Sequence, residues 1–338
     1  MVTNVLVTGG AGMLGSNLVA HFRDKGCAVR SLDVQGAVSH VVDVRDAARV
    51  RAAMAGVDVV VHTAAALPSY PADEIRSVIV DGTRTVLDAA FAAGVSRFVQ
   101  VSSTAVYGLP TIVPTPEDYP RSPVDVYSRA KADAEVVCEE FRARGMALPM
   151  IRPKTFLGPG RMGLFAMLFE WADEGRHFPV LGKGDVRIQM LGVQDLVAAI
   201  DLLAHAPAEL TNDTFNMAAT DFGTLREDFQ AVLDAAGHGR RVIPLPAAPA
   251  LALLQLLERA RLSPVYGRLL HKLRNDSYVS TDKIRERLGF RPQLSNRDAI
   301  LHTYRWWQAS RPTTPQGSGR TSREPWSQGA LKLAKAFF

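Results

Sequence analysis

Val5-Leu6-Val7-Thr8-Gly9-Gly10-Ala11-Gly12-Met13-Leu14-Gly15 decides the fold of this 338-residue chain. A short apolar run ends in Gly9, Gly12 and Gly15, spaced by three, and a helical apolar pattern follows at once. The stretch therefore predicts a strand, a tight turn and a helix across residues 4–25. Gly9 permits the turn, Gly12 lets the backbone approach a pyrophosphate, and Gly15 lets the helix pack closely on the strand. The first helical residues, Met13 and Leu14, present free N–H groups and the positive end of the helix dipole to that anion. Eighteen residues beyond Gly15, the next strand closes on Asp33 in Arg30-Ser31-Leu32-Asp33-Val34. A carboxylate there accepts hydrogen bonds from both ribose hydroxyls and repels a 2′-phosphate, so NAD is expected in preference to NADP. A structural salt bridge is the other reading of Asp33; Arg30 should point away from it by strand alternation.

Outward from this unit, apolar runs alternate with helical patterns as in a parallel sheet covered on both faces. Strands are expected at 4–7, 28–32, 57–62, 97–102 and 149–152, with helices near 14–25, 50–55, 75–93 and 126–144. The fold class is α/β, a doubly wound parallel sheet (Rossmann fold) with a smaller C-terminal substrate lobe. Residues 1–160 are assigned to the dinucleotide-binding domain, with segments around 186–222 returning to it. Residues 161–310 supply mainly the substrate lobe, with helices near 164–174, 193–204 and 224–236 and short strands near 178–180 and 214–217.

The segment 250–259 (ALALLQLLER) is apolar but too short to span a bilayer. It reads as a buried helix or as a membrane-facing or substrate-lining one. Residues 311–325 have a linker composition. Beyond them Trp326, Ala330, Leu333 and Phe337 fall at helical spacing beside Lys332 and Lys335. This pattern suits an interfacial amphipathic helix and peripheral membrane contact, or simply a frayed tail.

The composition, 47% hydrophobic and 22% charged, is that of a globular chain with a large core. Arg311, Arg320, Arg323, Lys332 and Lys335 against Glu324 place four of the five net positive charges in the tail. The nearly neutral body carries no basic stripe with interleaved aromatics, so nucleic acid is not an expected partner. Cys27 and Cys138 have neither a disulfide framework nor metal-type spacing; no metal is expected, and no secretory signal opens the chain. The expected location is cytoplasmic, with peripheral contact at the inner face of the membrane if the tail binds it.

The second half of the site is Tyr127-Ser128-Arg129-Ala130-Lys131. Positions i and i+4 share one face of a helix, so the phenol and the ammonium converge. A nearby cation favours the phenolate and brings the tyrosine toward a working pH for proton exchange with a carbinol or ketone. The pair follows the strand end Val101-Ser102-Ser103-Thr104-Ala105-Val106-Tyr107-Gly108, where Ser103 can hydrogen-bond the same substrate oxygen.

Over about residues 2–307 these features closely resemble the extended short-chain dehydrogenase/reductase family, which includes NAD-dependent nucleotide-sugar epimerases and dehydratases and the 3β-hydroxysteroid dehydrogenases. The resemblance implies a catalytic triad of Ser103, Tyr127 and Lys131. It implies an adenine contact at Asp43-Val44 and a run beneath the cofactor at His62-Thr63-Ala64-Ala65. It also implies a segment flanking the nicotinamide at Arg152-Pro153 followed by Gly158-Pro159-Gly160. Ile79 departs from the asparagine that many relatives carry ahead of the Gly82-Thr83 pair. A homodimer through the helices near 75–93 and 126–144 is implied by the resemblance only.

Three features bear on the substrate. Thr104 and Ala105 stand where sugar 4,6-dehydratases carry an Asp-Glu pair, so elimination of water is not expected. Nucleotide-sugar enzymes tend to place an arginine ahead of a Val-x-Asp motif. Here Val193 and Asp195 align with Ile188 at that position and Arg187 one place early. The apolar helix at 245–259, Tyr278-Val279-Ser280-Thr281-Asp282-Lys283, Leu288-Gly289-Phe290-Arg291-Pro292 and Trp306-Trp307 look more like steroid-dehydrogenase-type relatives. The preferred expectation is hydride transfer to or from a secondary alcohol or ketone on a small hydrophobic substrate. Candidates are a 3-hydroxy/3-oxo steroid, a hopanoid-type lipid or a 3-oxo sphingolipid such as a ceramide precursor. A nucleotide-sugar 4-epimerase is the alternative, and a non-catalytic cofactor sensor on the same fold is the third class.

Overall fold

The computed structural model describes residues 3–160, 165–246, 275–310 and Lys335. The strands are β1 (Asn4–Thr8), β2 (Ala28–Asp33), β3 (His40–Val41), β4 (Val59–His62), β5 (Arg97–Val101), β6 (Met150–Pro153), β7 (Thr155–Leu157), β8 (Phe178–Leu181), β9 (Met190–Gly192), β10 (Thr214–Met217) and β11 (Val242–Leu245). Seven of them form one sheet in the order β10-β6-β5-β4-β1-β2-β3, every pair parallel. The order reverses between β1 and β4, and such a switch point opens a crevice at the carboxyl ends of the strands.

Strand alternation distributes the core. Val5, Val7, Val59 and Val61 face α1 (Met13–Asp24), through Leu14, Leu18 and Phe22. Leu6, Val60 and Phe98 face the opposite layer. That layer is built from α2 (Ala47–Ala53), α4 (Gly82–Ala92) and α5 (Val126–Ala143), which contribute Val50, Val86, Leu87, Val137 and Phe141, and α3 (Ala72–Arg76) packs on α5 through Ile75. The near-continuous apolar runs of the strands follow from burial on both faces.

The glycine turn is tight. Gly9 takes φ +69°, and a Cβ on Gly15 would stand 2.0 Å from the Gly9 carbonyl oxygen. No side chain larger than hydrogen fits there without moving the backbone. Arg30 points away from the turn, donating from Nη1 to the carbonyl of Ala55 at 2.5 Å.

A second layer packs α6 (Phe165–Asp173) against α9 (Leu225–Ala236) and α11 (Asn296–Ser310), around Leu168, Phe169, Val232, Ile300 and Tyr304. In chain order α7 (Val193–His205) and α8 (Ala208–Thr211) precede α9, and α10 (Asp282–Leu288) precedes α11. α7 lies with α1 on the first face of the sheet, through Leu196 and Ile200.

The structure departs from the sequence expectations in particular places. The helix expected over 75–93 is interrupted by a π-helical turn, Ser77–Asp81, between α3 and α4. Thr83 Oγ1 donates to the Ile79 carbonyl at 2.5 Å, and Gly82 lies so near Val44 that a Cβ would meet Cγ2 at 2.7 Å. Close approach to the sheet and a side-chain acceptor claim override the regular helical ladder. Strand β10 joins the main sheet, whereas β9 pairs with β7, and β8 pairs with β11. The short strands β3, β7, β9 and β11 and the helices at 208–211, 282–288 and 296–310 escaped the periodicity reading, the strands because they are too short to show a period. The apolar segment 250–259, the linker 311–325 and all of the amphipathic tail but Lys335 lie outside the described residues. Lys335 bridges Glu170 and Glu174 of the α6 region, at 2.6 Å each. Among the described residues no helix is long and apolar enough to cross a membrane.

Candidate active site

The residues singled out in the sequence gather at the carboxyl ends of β1, β2, β4, β5 and β6. Helix α1 starts at Gly12 with no side-chain cap, so the first-turn amides of Met13 and Leu14 remain available to an anion. Asp33 closes the turn from the next strand. Its Oδ2 accepts from the Ala11 amide at 3.0 Å and its Oδ1 from the Val34 amide at 2.7 Å. The carboxylate is thus held at the glycine turn, with lone pairs left for ribose hydroxyls. Val44 is buried, its side chain against Gly82. Asp43 is bound by Arg45, whose Nε and Nη2 reach it at 2.9 and 2.5 Å. That hydrogen bonding holds its carboxyl below the usual range. Arg45 thus takes three of the acceptor positions of Asp43, the third through its own amide at 2.9 Å.

His62, at the end of β4, is fully buried between two threonines. Thr83 Oγ1 gives its proton to the Ile79 carbonyl and so accepts from His62 Nε2 at 3.1 Å. The hydrogen-bond pattern assigns the proton to Nε2, and Nδ1 accepts from Thr8 Oγ1 at 2.7 Å. Thr8 Oγ1 in turn accepts from the amides of Thr63 and Ala64. This chain anchors the Ala64-Ala65 turn beside Gly9, where a Cβ would lie 2.8 Å from the Ala64 nitrogen. Burial, with Lys131 as a lesser cause, pulls His62 down to about 3. The unfolded chain therefore binds a proton near pH 6.5 that the folded chain refuses until about pH 3, and stability falls as pH drops through that window. In urea titrations between pH 6 and 4, the wild type should lose stability more steeply than His62→Gln, by about 1.4 kcal/mol per pH unit. Equal slopes would remove His62 from this role.

α5 begins at Asp125, which forms a capping box with Ser128, and this fixes the first turn that carries Tyr127. Tyr127 is half-buried against Ala66, Ile75, Ile79, Ala130 and Ala134. One turn on, Lys131 is 4% exposed, and its Nζ donates to the Val101 carbonyl at 3.0 Å. Burial brings Lys131 down to about 8, with the charge of Glu135 working the other way. Ser103 stands just beyond β5, its Oγ accepting from the Ala105 amide at 3.1 Å and capping the short 3₁₀ turn Thr104–Tyr107. The lysine thus ties the helix to the strand that ends at the serine.

Beneath these three lies a buried network that sequence reasoning missed. Glu135, 0% exposed, accepts from Ser102 Oγ at 2.5 Å and from Arg152 Nε and Nη2 at 2.8 and 2.6 Å. Arg152 Nη1 also donates to Tyr107 Oη at 2.8 Å, and Tyr107 donates to Asn216 Oδ1 at 2.7 Å. The side chain of Arg152 therefore turns into the core, and Pro153 alone ends β6 at the crevice, its carbonyl accepting from Thr104 Oγ1 at 3.3 Å. The signal was present in the sequence, since Tyr127, Lys131 and Glu135 recur at four-residue spacing.

Arg187 does not reach into the site as a free cation. Its guanidinium lies 4.7 Å from the Phe222 ring centroid and 5.3 Å from that of Tyr278. Asp195 accepts from the Gln293 and Leu294 amides, 2.9 Å each, and so clamps the chain ahead of α11. Among the described residues no cluster of metal-ligating side chains occurs.

A family model described as "NAD dependent epimerase/dehydratase family" matches residues 5–218. An "Uncharacterized protein y4nG" of Sinorhizobium fredii is 33% identical, the match covering 98% of this chain and 86% of that protein. A "3 beta-hydroxysteroid dehydrogenase/Delta 5-->4-isomerase" of Mycobacterium tuberculosis is 30% identical over 88% of each chain. Among solved structures, UDP-glucose 4-epimerase of Thermotoga maritima superposes with a TM-score of 0.76 at 22% identity, covering 91% of this chain and 99% of that one.

Fold and family together define an NAD-dependent oxidoreductase on a parallel dinucleotide-binding sheet. The chain belongs to the NAD dependent epimerase/dehydratase family. NAD is its cofactor. The glycine cradle, the uncapped α1 N-terminus and Asp33 fit that cofactor.

Proposed function

We propose that Ser103, Tyr127 and Lys131 carry a reversible hydride transfer between NAD and a secondary carbinol or ketone on a hydrophobic, lipid-like molecule. The observation that carries the mechanism is the placement of a buried lysine one helical turn from Tyr127 and hydrogen-bonded to the strand that leads to Ser103. NAD, when bound, supplies the hydride acceptor or donor. Ser103 Oγ holds the substrate oxygen, and the Tyr127 hydroxyl exchanges its proton with that oxygen. The Lys131 ammonium favours the phenolate and offers donors to the ribose. Gly9, Gly12, Gly15 and the Met13 and Leu14 amides cradle the pyrophosphate, Asp33 binds the ribose, Asp43 and Val44 border the adenine, and Ala64, Ala65 and Pro153 border the rest of the cofactor. Residues 1–160 with the returning part of 186–222 form the cofactor unit, and 161–310 mainly the substrate lobe.

The lipid reading draws support from the loop that leads into α5. Leu109, Ile112 and Val124 there, and Val126 at the start of the helix, are exposed apolar side chains, and the mycobacterial relative is named for a steroid substrate. A second reading, nucleotide-sugar 4-epimerase, draws on the description of the family as epimerases and dehydratases. Thermal shift in the presence of NADH separates the two, because a ligand bound only by the native state must raise its stability. A steroid or other lipid ketone is expected to raise the melting temperature; stabilisation by UDP-sugars alone would overturn the lipid reading.

Asp33 also makes a cofactor prediction. Asp33→Ser removes the carboxylate that repels a 2′-phosphate. The ratio of kcat/KM for NAD over NADP should fall by about 10-fold or more, since one lost charge contact is worth at least ~1.4 kcal/mol. An unchanged ratio would show that another residue sets the preference.

A further inference from the structure

Two opposite charges are buried one turn apart on α5, yet each bonds elsewhere. Lys131 and Glu135 are 4% and 0% exposed. The Lys131 ammonium donates to the Val101 carbonyl at 3.0 Å, whereas the Glu135 carboxylate is taken by other donors. Its Oε1 accepts from Ser102 Oγ at 2.5 Å and from Arg152 Nε at 2.8 Å. Its Oε2 accepts from Arg152 Nη2 at 2.6 Å and from Arg121 Nη1 at 3.3 Å. Two donors on each oxygen fill the roughly four acceptor positions of a carboxylate. Arg121 is itself fixed on Glu139, at 2.9 and 3.1 Å. Glu135 is thus held from β5, from β6 and from the loop ahead of α5, with its acceptors spent.

The other titratable groups beside Lys131 bring it no negative charge. His62 on β4 is neutral down to about pH 3. Burial pushes the Cys138 thiol up, so on α5 it keeps its proton. Tyr127 is the group that the lysine serves. Burial is the largest cause that lowers Lys131, and the charge of Glu135 opposes it. A fixed carboxylate acts strongly over such a span because the dielectric between the two is low.

We propose that Glu135 is a positioning residue for Lys131: a saturated carboxylate that supports the ammonium through its field and leaves the ammonium's N–H groups to Tyr127 and the cofactor. A carboxylate paired directly with Lys131 would occupy those donors and draw the ammonium away from the phenol. An apolar residue at position 135 would leave the buried lysine to lose its proton, because desolvation disfavours the charged form. Ser102, Arg152 and Arg121 therefore do two things at once: they keep Glu135 ionised and they keep it from capturing the lysine. This proposal rests on the hydride-transfer reading and deepens it.

The test follows Lys131 itself, by NMR of the NAD-loaded protein with its lysines isotopically labelled at the ε-carbon. The resonance that vanishes in Lys131→Met is the one to titrate. Glu135→Gln should lower its midpoint by about 1 pH unit or more, the low end of what a nearby opposite charge does. Glu135→Asp, which keeps the charge, should restore most of that shift. A contribution confined to folding would leave the midpoint of the folded protein where it was. If the glutamine variant does not fold, Glu135→Leu with Arg152→Leu removes both charges, and the midpoint should fall there too. An unmoved midpoint in the folded variant, or an equal fall in Glu135→Asp, overturns the proposal. NADH oxidation by androstanedione, a ketone probe, gives a second readout. Its alkaline limb should move down with the midpoint in Glu135→Gln, and a limb that stays in place overturns the role. Tyr127→Phe separates the two ideas: if it retains turnover while the Lys131 midpoint still depends on Glu135, the charge relation stands and the hydride-transfer roles fall.

Discussion

Tyr127→Phe should lower turnover by roughly 10²- to 10⁴-fold, the usual contribution of a positioned acid–base group, while NADH binding stays within a few-fold of the wild type. The ring packs on Ala66, Ile75, Ile79, Ala130 and Ala134, and phenylalanine keeps all of that apolar contact. Only the hydroxyl that we propose as the proton-exchanging group is removed. Steady-state turnover and NADH fluorescence titration together check the expectation, and near-wild-type turnover would remove Tyr127 from the chemistry. The pH profile adds a sign. Lys131 loses its proton near pH 8, so its help to the phenolate fades as pH rises through that value. Lys131→Met should remove this dependence and lower turnover across the range.

The second large effect lies beneath the site. Glu135→Ala should destabilise the fold by about 3–5 kcal/mol, because it leaves the Arg152 guanidinium buried without its counter-charge. Glu135 accepts two hydrogen bonds from Arg152, one from Ser102 and a longer one from Arg121 Nη1 at 3.3 Å, and its side chain is wholly out of solvent. An arginine side chain keeps its proton in proteins, so deprotonation offers the variant no escape. Urea unfolding reads the loss. The double replacement Glu135→Leu with Arg152→Leu should cost less than the sum of the two single changes, since it removes both charges together. Additive costs would mean that the pair is not energetically coupled.

Much of this site was legible before any coordinates. The Gly9-Gly12-Gly15 spacing, the distance to Asp33 and the four-residue step from Tyr127 to Lys131 are local facts, and local facts survive in a sequence because turns and helices have fixed periods. The same argument could have been carried one turn further to Glu135. Its partner could not, since Arg152 is on another element and nothing in the order of residues says that β6 runs beside β5. Asp43 illustrates the opposite case: its position suits an adenine contact, yet its carboxylate is taken by Arg45 two residues along. The π turn at Ser77–Asp81 was invisible because it answers to Val44 and the sheet, not to the helix's own pattern.

The sequence by itself determined the glycine turn, the strand end at Asp33 and the Tyr127–Lys131 step, because each is set by backbone geometry over a few residues. Only the tertiary structure decided which charges are buried together. The Ser102–Glu135–Arg152–Tyr107–Asn216 network and the cavity that joins Thr104, Lys154 and Ser277 draw on four and three separate stretches of chain, respectively. Hydrogen bonds and low-dielectric electrostatics depend on distance in space, and distance in space between remote residues is a property of the packed sheet and its layers.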